Sequence, residues 1–139
     1  MTATVDSVLL TIVERRHAAI AAAYGSLSAV DRERLACCAR APRDFEAAIR
    51  TTGAVAVIAE VKKASPSAGP IAIDVEASKQ ALHYQDGGAT CISVLTEPDI
   101  FAGSFTDLSD VADAVDLPVL CKDFVVDEVQ LFVARGHGA

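Results

Sequence analysis

The segment AVAVIAEV at residues 54–61 decides the fold class of this chain. It is short, rich in β-branched residues and almost continuously apolar, which is typical of a strand buried on both faces. Two segments of the same kind follow, CISVLT at 91–96 and PVLC at 118–121. Their spacing suits successive right-handed βαβ units, because each gap is long enough for a crossover helix.

Helical patterns at 74–85, 104–115 and 126–135 follow the three predicted strands. Strands that alternate with helices indicate a parallel sheet. No glycine-rich GxGxxG follows the first strand, which disfavours a dinucleotide-binding Rossmann unit. We therefore predict an α/β chain in which residues 54–139 form part of a (β/α) barrel.

Residues 1–53 are predicted to form an amino-terminal helical extension. Ser28 and Asp31 resemble a capping box at the start of a second helix, and Pro42 suits the first turn of a third. Gly53 is expected to end this segment. The first helix has apolar residues at helical spacing on one face, namely Val5, Val8, Leu9, Ile12, Val13 and Ile20.

The composition is that of a folded protein. Its 139 residues are about one domain in length, and 52% hydrophobic residues supply enough apolar material for a core. A net charge of −7 without a basic stripe disfavours nucleic-acid binding, and no apolar run approaches the ~18 residues of a membrane helix. The amino terminus lacks the basic region of a signal peptide. We expect neither nucleic acid nor a membrane as partner.

The cysteines and histidines predict no metal site. Cys37 and Cys38 are adjacent, which is wrong for a CxxC pair, and Cys91 and Cys121 lie in apolar runs. The histidines lack ligand-like spacing: His17, His83 and His137. We expect reduced, structural cysteines and a cytoplasmic location.

Polar residues stand at the predicted carboxyl ends of the three strands, where parallel α/β proteins place functional groups. Glu60 and Lys62 share one strand face, so they either tune each other's pKa or simply form an ion pair. Lys63 adds a third charge at this strand end. At the second strand, Ser93 and Thr96 predict a hydrogen-bonded turn.

Lys122 directly follows the apolar PVLC segment, although charge rarely extends a buried strand. A desolvated lysine there serves as a general acid or a Schiff-base nucleophile; the alternative is a side chain that bends off the strand end into water. The loop ASPSAG at 64–69 offers groups that contact an anion or merely form a turn. With Lys62 and Lys63 nearby, these features favour an anionic substrate.

Several of these segments resemble the indole-3-glycerol phosphate synthase family of tryptophan biosynthesis. The resemblance runs from about residue 5 to residue 139, and the E-x-K-x-x-S-P-S-x-G and K-D-F patterns occur in order at strand ends. Ile100 stands where the family usually has an aromatic residue, a difference that loosens a substrate-facing wall. The matching stretches are IAEVKKASPSAGPI (58–71), GGATCISVLTEPDIFAGSF (87–105) and LPVLCKDFVVDEVQ (117–130), with PRDF (42–45) and ARGHGA (134–139).

The resemblance implies a carbon–carbon lyase on a (β/α)8 TIM barrel that needs no metal or organic cofactor. Its phosphorylated substrate is 1-(2-carboxyphenylamino)-1-deoxyribulose 5-phosphate, whose ring is closed with loss of CO2 and water. By this likeness Lys122 is the general acid that protonates the ribulose carbonyl. Lys62 holds the anionic substrate and assists proton transfer, and Glu60 orients the lysines and a substrate hydroxyl.

The same likeness assigns three substrate-binding residues. Ser65 contacts the substrate, while Phe101 and Phe124 flank its aromatic ring. A ketone attacked by an aromatic carbon needs both protonation and tight positioning, which agrees with cationic groups at one barrel mouth.

A TIM barrel takes about 250 residues and eight strands, whereas three strands are predicted here. The family's second half carries a glutamate base, an asparagine and glycine-rich phosphate loops. We therefore expect that the chain alone is not a competent synthase. It would be a fragment, or half of a barrel completed by a carboxy-terminal chain or by self-association.

Two other hypotheses stay open. One is an aldolase-like barrel in which Lys122 forms a Schiff base, which borohydride would trap. The other is a non-catalytic half-barrel remnant or assembly module, which would bind no substrate analogue.

Overall fold

The computed structural model describes residues 5–37, 40–51 and 53–139. The prediction for Cys38 therefore lies outside the described residues. The helices are α1 Val5–Tyr24, α2 Ala29–Cys37, α3 Phe45–Thr51, α4 Ala77–Asp86, α5 Phe105–Ala114 and α6 Val129–Gly136. The strands are β1 Ile58–Val61, β2 Ala64–Ser65, β3 Gly69–Pro70, β4 Cys91–Leu95 and β5 Val119–Lys122.

Three of the strands form a parallel sheet in the order β1-β4-β5, which confirms the predicted βαβ arrangement. Glu60 lies opposite Ser93 on β4, and Ser93 lies opposite Leu120 on β5. Two residues further along, Leu95 lies opposite Lys122. This α/β architecture with three parallel strands is consistent with part of a barrel.

One face of this sheet packs against α4 and α5, and we call it the packed face. Its strand residues Val61, Ile92, Val94 and Val119 are buried in one cluster. The helices contribute side chains that include Leu108, which is completely buried. Side chains of alternating residues lie on the other side, the open face, which carries Glu60, Ser93, Leu120 and Lys122.

The predicted strand at 54–61 is wrong in its length and in its burial. The strand begins at Ile58, and Val55 is 89% exposed. Because β1 is an edge strand of this sheet and helices cover only the packed face, Ile58 is also half exposed. By contrast, every residue of the central strand β4 is buried, as its apolar sequence predicts.

The amino-terminal helices pack against the βα part of the chain. Ile20 of α1 is buried with Val129 and Val133 of α6. The predicted apolar face of α1 is only partly buried, because Val8 and Leu9 remain exposed.

The predicted capping box of α2 is confirmed, since the Asp31 backbone N–H donates to Ser28 Oγ. The prediction for Pro42 is wrong. Helix α3 begins at Phe45, and the Asp44 carboxylate caps it by accepting from the Ala47 backbone N–H, so the proline precedes the first turn.

The remaining helices agree with the sequence patterns except at their starts. Helix α5 begins after Ser104, whose hydroxyl accepts from the Asp107 backbone N–H. Helices α4 and α6 each begin three residues later than predicted. At α6 the Gln130 side chain accepts from the backbone N–H groups of Val126 and Asp127, which holds this preceding segment outside the helix. No helix in the described part of the chain combines the length and the apolar character that crossing a membrane requires.

Candidate active site

Glu60, Lys62 and Lys122 form one ionic cluster at the carboxyl end of the sheet. Lys62 Nζ lies 2.8 Å from Glu60 Oε1, and Lys122 Nζ lies 2.5 Å from Glu60 Oε2. One carboxylate therefore bridges two ammonium groups, one directly after β1 and one at the end of β5, across the intervening strand β4. The expected Glu60–Lys62 ion pair is present, and its carboxylate also reaches Lys122.

Burial raises the pKa of Glu60, but hydrogen bonds and charge from Lys122 and then Lys62 outweigh it. The net result is a pKa below the ordinary value of a glutamate. Glu60 is therefore an ionised acceptor at neutral pH that holds two cations in place. Such a cluster can bind an anionic or hydroxyl-bearing ligand and can deliver a proton from an ammonium group.

The prediction that Lys122 is desolvated is wrong. Its side chain is 53% exposed, because it lies on the open face at the end of an edge strand. The alternative of a side chain that simply bends into water does not describe it either, since it is hydrogen-bonded to Glu60. Lys122 is an accessible ammonium group with a fixed partner.

Lys63 does not join this cluster, contrary to the prediction. It points to the packed face, where its Nζ contacts both carboxylate oxygens of Asp107 in the first turn of α5 at 2.7 and 2.8 Å. Successive residues of an extended segment alternate between faces, so Lys62 and Lys63 diverge. Lys63 therefore anchors a helix and contributes no charge to the candidate site.

Phe101 and Phe124 lie at the same end of the sheet, with ring centroids 6.3 Å apart. They line an apolar cavity of about 420 Å³. Its other walls come from α1 and the β2–β3 hairpin: Val8, Leu9, Ile12, Pro66 and Ser67. An aromatic ring of a ligand fits the chemistry of these walls.

Ser65 belongs to the β2–β3 hairpin, and its hydroxyl accepts from the Ala68 backbone N–H. The loop at 64–69 is therefore a tight turn, one of the two alternatives that its sequence left open. The neighbours Pro66 and Ser67, rather than Ser65, line the apolar cavity. Ser65 thus shapes the wall beside the cavity.

Glu97 is a structurally important residue that the sequence analysis missed. It is buried, and its carboxylate accepts from the backbone N–H groups of Asp99, Ile100 and Phe101. The turn also needs Gly103, because a Cβ there would lie 2.1 Å from the Leu95 carbonyl oxygen. This turn fixes the position of Phe101. An acidic residue directly after the predicted strand at 91–96 was the signal.

A second ionic network, which the sequence also did not reveal, lies beside the candidate site. Arg16 of α1 makes a bidentate contact with Asp123, whose side chain is only 1% exposed. Thr96 donates to the same carboxylate at 2.7 Å and contacts Cys121 Sγ. Asp123 separates Lys122 from Phe124, so this network fixes the end of β5.

The prediction that Ser93 and Thr96 form one turn is wrong. Ser93 lies in the middle of β4 on the open face, whereas Thr96 follows the strand and reaches Asp123. Another cavity, of about 360 Å³, lies between β5 and α6. It includes Cys121, whose pKa is raised chiefly by burial, but none of the predicted site residues.

Comparison with known proteins relates the sequence of this chain to one family. A sequence model of the family described as indole-3-glycerol phosphate synthase matches residues 9–139. Proteins of that name from Mycobacterium tuberculosis and Mycobacterium bovis are each 47% identical to the chain over 133 residues, and one from Mycobacterium avium is 48% identical. The match covers 96% of this chain and 48% of each relative. The chain thus spans about half the length of these curated relatives.

Proposed function

The chain belongs to the indole-3-glycerol phosphate synthase family, and we propose on this premise that it carries part of a lyase site for tryptophan biosynthesis. The observation that carries the proposal is the bridging of Lys62 and Lys122 by Glu60 at the carboxyl end of a parallel sheet. In barrel enzymes that edge of the sheet bears the active site.

The proposed substrate is 1-(2-carboxyphenylamino)-1-deoxyribulose 5-phosphate. Lys122 donates a proton to the ribulose carbonyl oxygen while the aromatic carbon that bears the carboxylate attacks the carbonyl carbon. The new ring then loses CO2 and water, which gives indole-3-glycerol phosphate. The exposure of Lys122 and its hydrogen bond to Glu60 support this role, because the ammonium group is both accessible and oriented.

The other proposed residues bind and orient the substrate. Lys62 holds an anionic group of the substrate and assists proton transfer, while Glu60 orients both lysines and a substrate hydroxyl. Phe101 and Phe124 flank the aromatic ring, a role supported by the cavity that they line. Ser65 contacts the substrate from the hairpin.

The wider assignments belong to the same proposal. Residues 1–53 act as a helical extension. Residues 54–139 supply the first three strands and the first three helices of a (β/α)8 barrel, and β1, β4 and β5 are these strands. The protein acts in the cytoplasm. A carboxy-terminal half-barrel or a second copy completes the site. Relatives about twice as long as this chain leave room for eight strands.

A Schiff-base mechanism is the weaker alternative. Lys122 Nζ donates a hydrogen bond to the Glu60 carboxylate, a geometry that suits a proton donor better than a nucleophile. Borohydride treatment of the chain with substrate is expected to leave Lys122 unmodified. A trapped adduct on Lys122 would favour the alternative.

A chimera tests the proposed function. This chain would replace the matching half of the Mycobacterium tuberculosis relative, and formation of indole-3-glycerol phosphate would be measured. We expect turnover by the chimera, a fall in kcat of about 10²–10⁴-fold on Lys122→Met, and no turnover by the isolated chain as a monomer. Lys79→Met, at an exposed lysine of α4, is the matched control.

Three outcomes would contradict the proposal. A folded chimera without activity would show that this chain cannot supply the catalytic groups. Full activity of Lys122→Met would remove the proposed general acid. Clear turnover by the monomeric chain alone would show that no second half is needed.

A further inference from the structure

Ser93 has an unusual environment on the open face. Its residue is 3% exposed, and within residues 5–37, 40–51 and 53–139 its hydroxyl is the one buried side-chain oxygen or nitrogen without a hydrogen-bond partner. Thr96, three residues further on, has its hydroxyl bonded to Asp123. The Thr96 hydroxyl thus has an acceptor within the protein, whereas the Ser93 hydroxyl has none among the described residues.

The strand register places Ser93 within the candidate site. Its neighbours in sequence, Ile92 and Val94, belong to the packed face, so the Ser93 side chain lies on the opposite side. There it stands between Glu60 on β1 and Leu120 on β5, one row below Lys122. Ser93 therefore lies on the floor beneath the ionic cluster.

A buried hydroxyl without a partner costs free energy, and native proteins keep few of them. Cys91, two residues earlier on the same strand, is buried without such a hydroxyl. An unpaired donor beside a charged cluster is therefore best explained by a partner that arrives with a ligand.

We propose that Ser93 is a substrate-binding residue whose hydroxyl donates a hydrogen bond to a hydroxyl oxygen of the ribulose chain. The same substrate hydroxyl donates a hydrogen bond to the Glu60 carboxylate. This inference rests on the proposed function and adds to it a contact between β4 and the sugar chain.

The charge of Glu60 and the number of hydrogen bonds that its carboxylate can accept define the group that binds between Glu60 and Ser93. An ionised carboxylate has about four lone-pair positions, and Lys62 and Lys122 each occupy one. A neutral hydroxyl can use a remaining position and accept from Ser93 at the same time. A phosphate or carboxylate of the substrate would be repelled by Glu60 at this position, so the anionic group assigned to Lys62 binds at one of the two Lys62 N–H donors that Glu60 does not use.

The test uses the full 139-residue chain and two stable probes. The first is the alcohol obtained by reducing the ketone of the proposed substrate, which keeps every hydroxyl but cannot cyclise. The second has the same aromatic ring, phosphate and five-carbon chain but no hydroxyl. Binding of both would be measured calorimetrically for the unsubstituted chain, for Ser93→Ala, and for Ser78→Ala, which removes a half-buried serine of α4.

We expect Ser93→Ala to weaken binding of the polyol probe about tenfold, with no change for the hydroxyl-free probe. Ser78→Ala should leave both affinities unchanged. Thermal unfolding should show that Ser93→Ala is at least as stable as the unsubstituted chain, because it removes a buried donor that the fold does not satisfy.

Each other outcome overturns the inference in a distinguishable way. Equal loss for both probes would indicate a structural role. Unchanged affinity for the polyol would indicate that water alone satisfies the Ser93 hydroxyl. If the unsubstituted chain binds neither probe, Ser93 has no such ligand in this chain, whereas the proposed function is decided separately by the turnover of the chimera. A large loss of stability in Ser93→Ala would show that the hydroxyl is bonded within the fold.

Discussion

The two faces of the parallel sheet use charge in opposite ways. Asp123 directly follows β5 and, being two residues after Cys121, lies on the same side of the sheet, the packed side. There it forms a bidentate pair with Arg16 that is almost completely buried. On the open side, the adjacent Lys122 meets Glu60 in a cluster that water reaches. Two neighbouring residues of one strand end thus belong to two ionic groups with different surroundings.

This difference separates structural from chemical roles. A buried pair is locked because breaking it leaves a charge without water or partner. A half-exposed cluster contributes little to stability, since water competes for each of its members. Its groups therefore remain available to exchange partners with a ligand. The open face is expected to tolerate substitution in the fold, whereas the packed face is not.

The largest expected effect is on the buried pair. Asp123→Ala should lower the free energy of unfolding by about 3–5 kcal/mol, because Arg16 is left as an uncompensated buried charge. Urea unfolding followed by circular dichroism measures this change. Lys62→Ala, on the open face, is the matched substitution and should cost about 1 kcal/mol or less.

A double substitution separates charge from packing at the same place. Arg16→Met with Asp123→Leu should recover part of the stability lost by Asp123→Ala, because no charge is then left unpaired although Thr96 still lacks its acceptor. If Asp123→Ala and Lys62→Ala cost the same, the contrast between the two ionic groups would be refuted.

A smaller effect is expected from apolar truncations on the two faces. Leu108→Ala, at a completely buried position that packs against the packed face, should cost about 2–5 kcal/mol. Leu120→Ala, on the open face and 43% exposed, should cost less than about 1 kcal/mol. Unfolding midpoints at equal protein concentration measure both.

The same comparison reports on association through the open face. Equal costs for Leu108→Ala and Leu120→Ala would show that the open face is covered in solution. Sedimentation at several concentrations would then reveal whether a second copy covers it.

Sequence patterns predicted the elements of the sheet because their signals are local. The period of apolar residues located β4 and β5 to within one residue, and Ser104 marked the start of α5. The alternation of side chains also brought Glu60 and Lys62 to one face. The same alternation also places Lys63 on the packed face, opposite to Lys62, although Lys63 was predicted to join the cluster.

The features that sequence did not reveal depend on contacts between distant parts of the chain. Arg16 and Asp123 are 107 residues apart, and nothing local to either residue indicates the other. Exposure of Val55 could not be predicted from its apolar segment, because burial depends on which elements cover a strand. Glu97 is different, because its carboxylate binds backbone N–H groups only two to four residues away, and the acidic residue after the predicted strand was a local signal that was missed.

The smallest expected effect concerns the pH dependence of the open-face cluster. Lys122 and Lys62 lower the pKa of Glu60 despite its partial burial, so the ionised carboxylate stabilises the fold above the ordinary value of 4.5. This contribution, about 1 kcal/mol or less, should be lost as the pH falls through the lowered pKa. The unfolding free energy of the unsubstituted chain minus that of Glu60→Gln should therefore decrease over this range, and Lys122→Met should weaken the dependence. A difference that stays constant with pH would mean that the two lysines do not hold the carboxylate in solution.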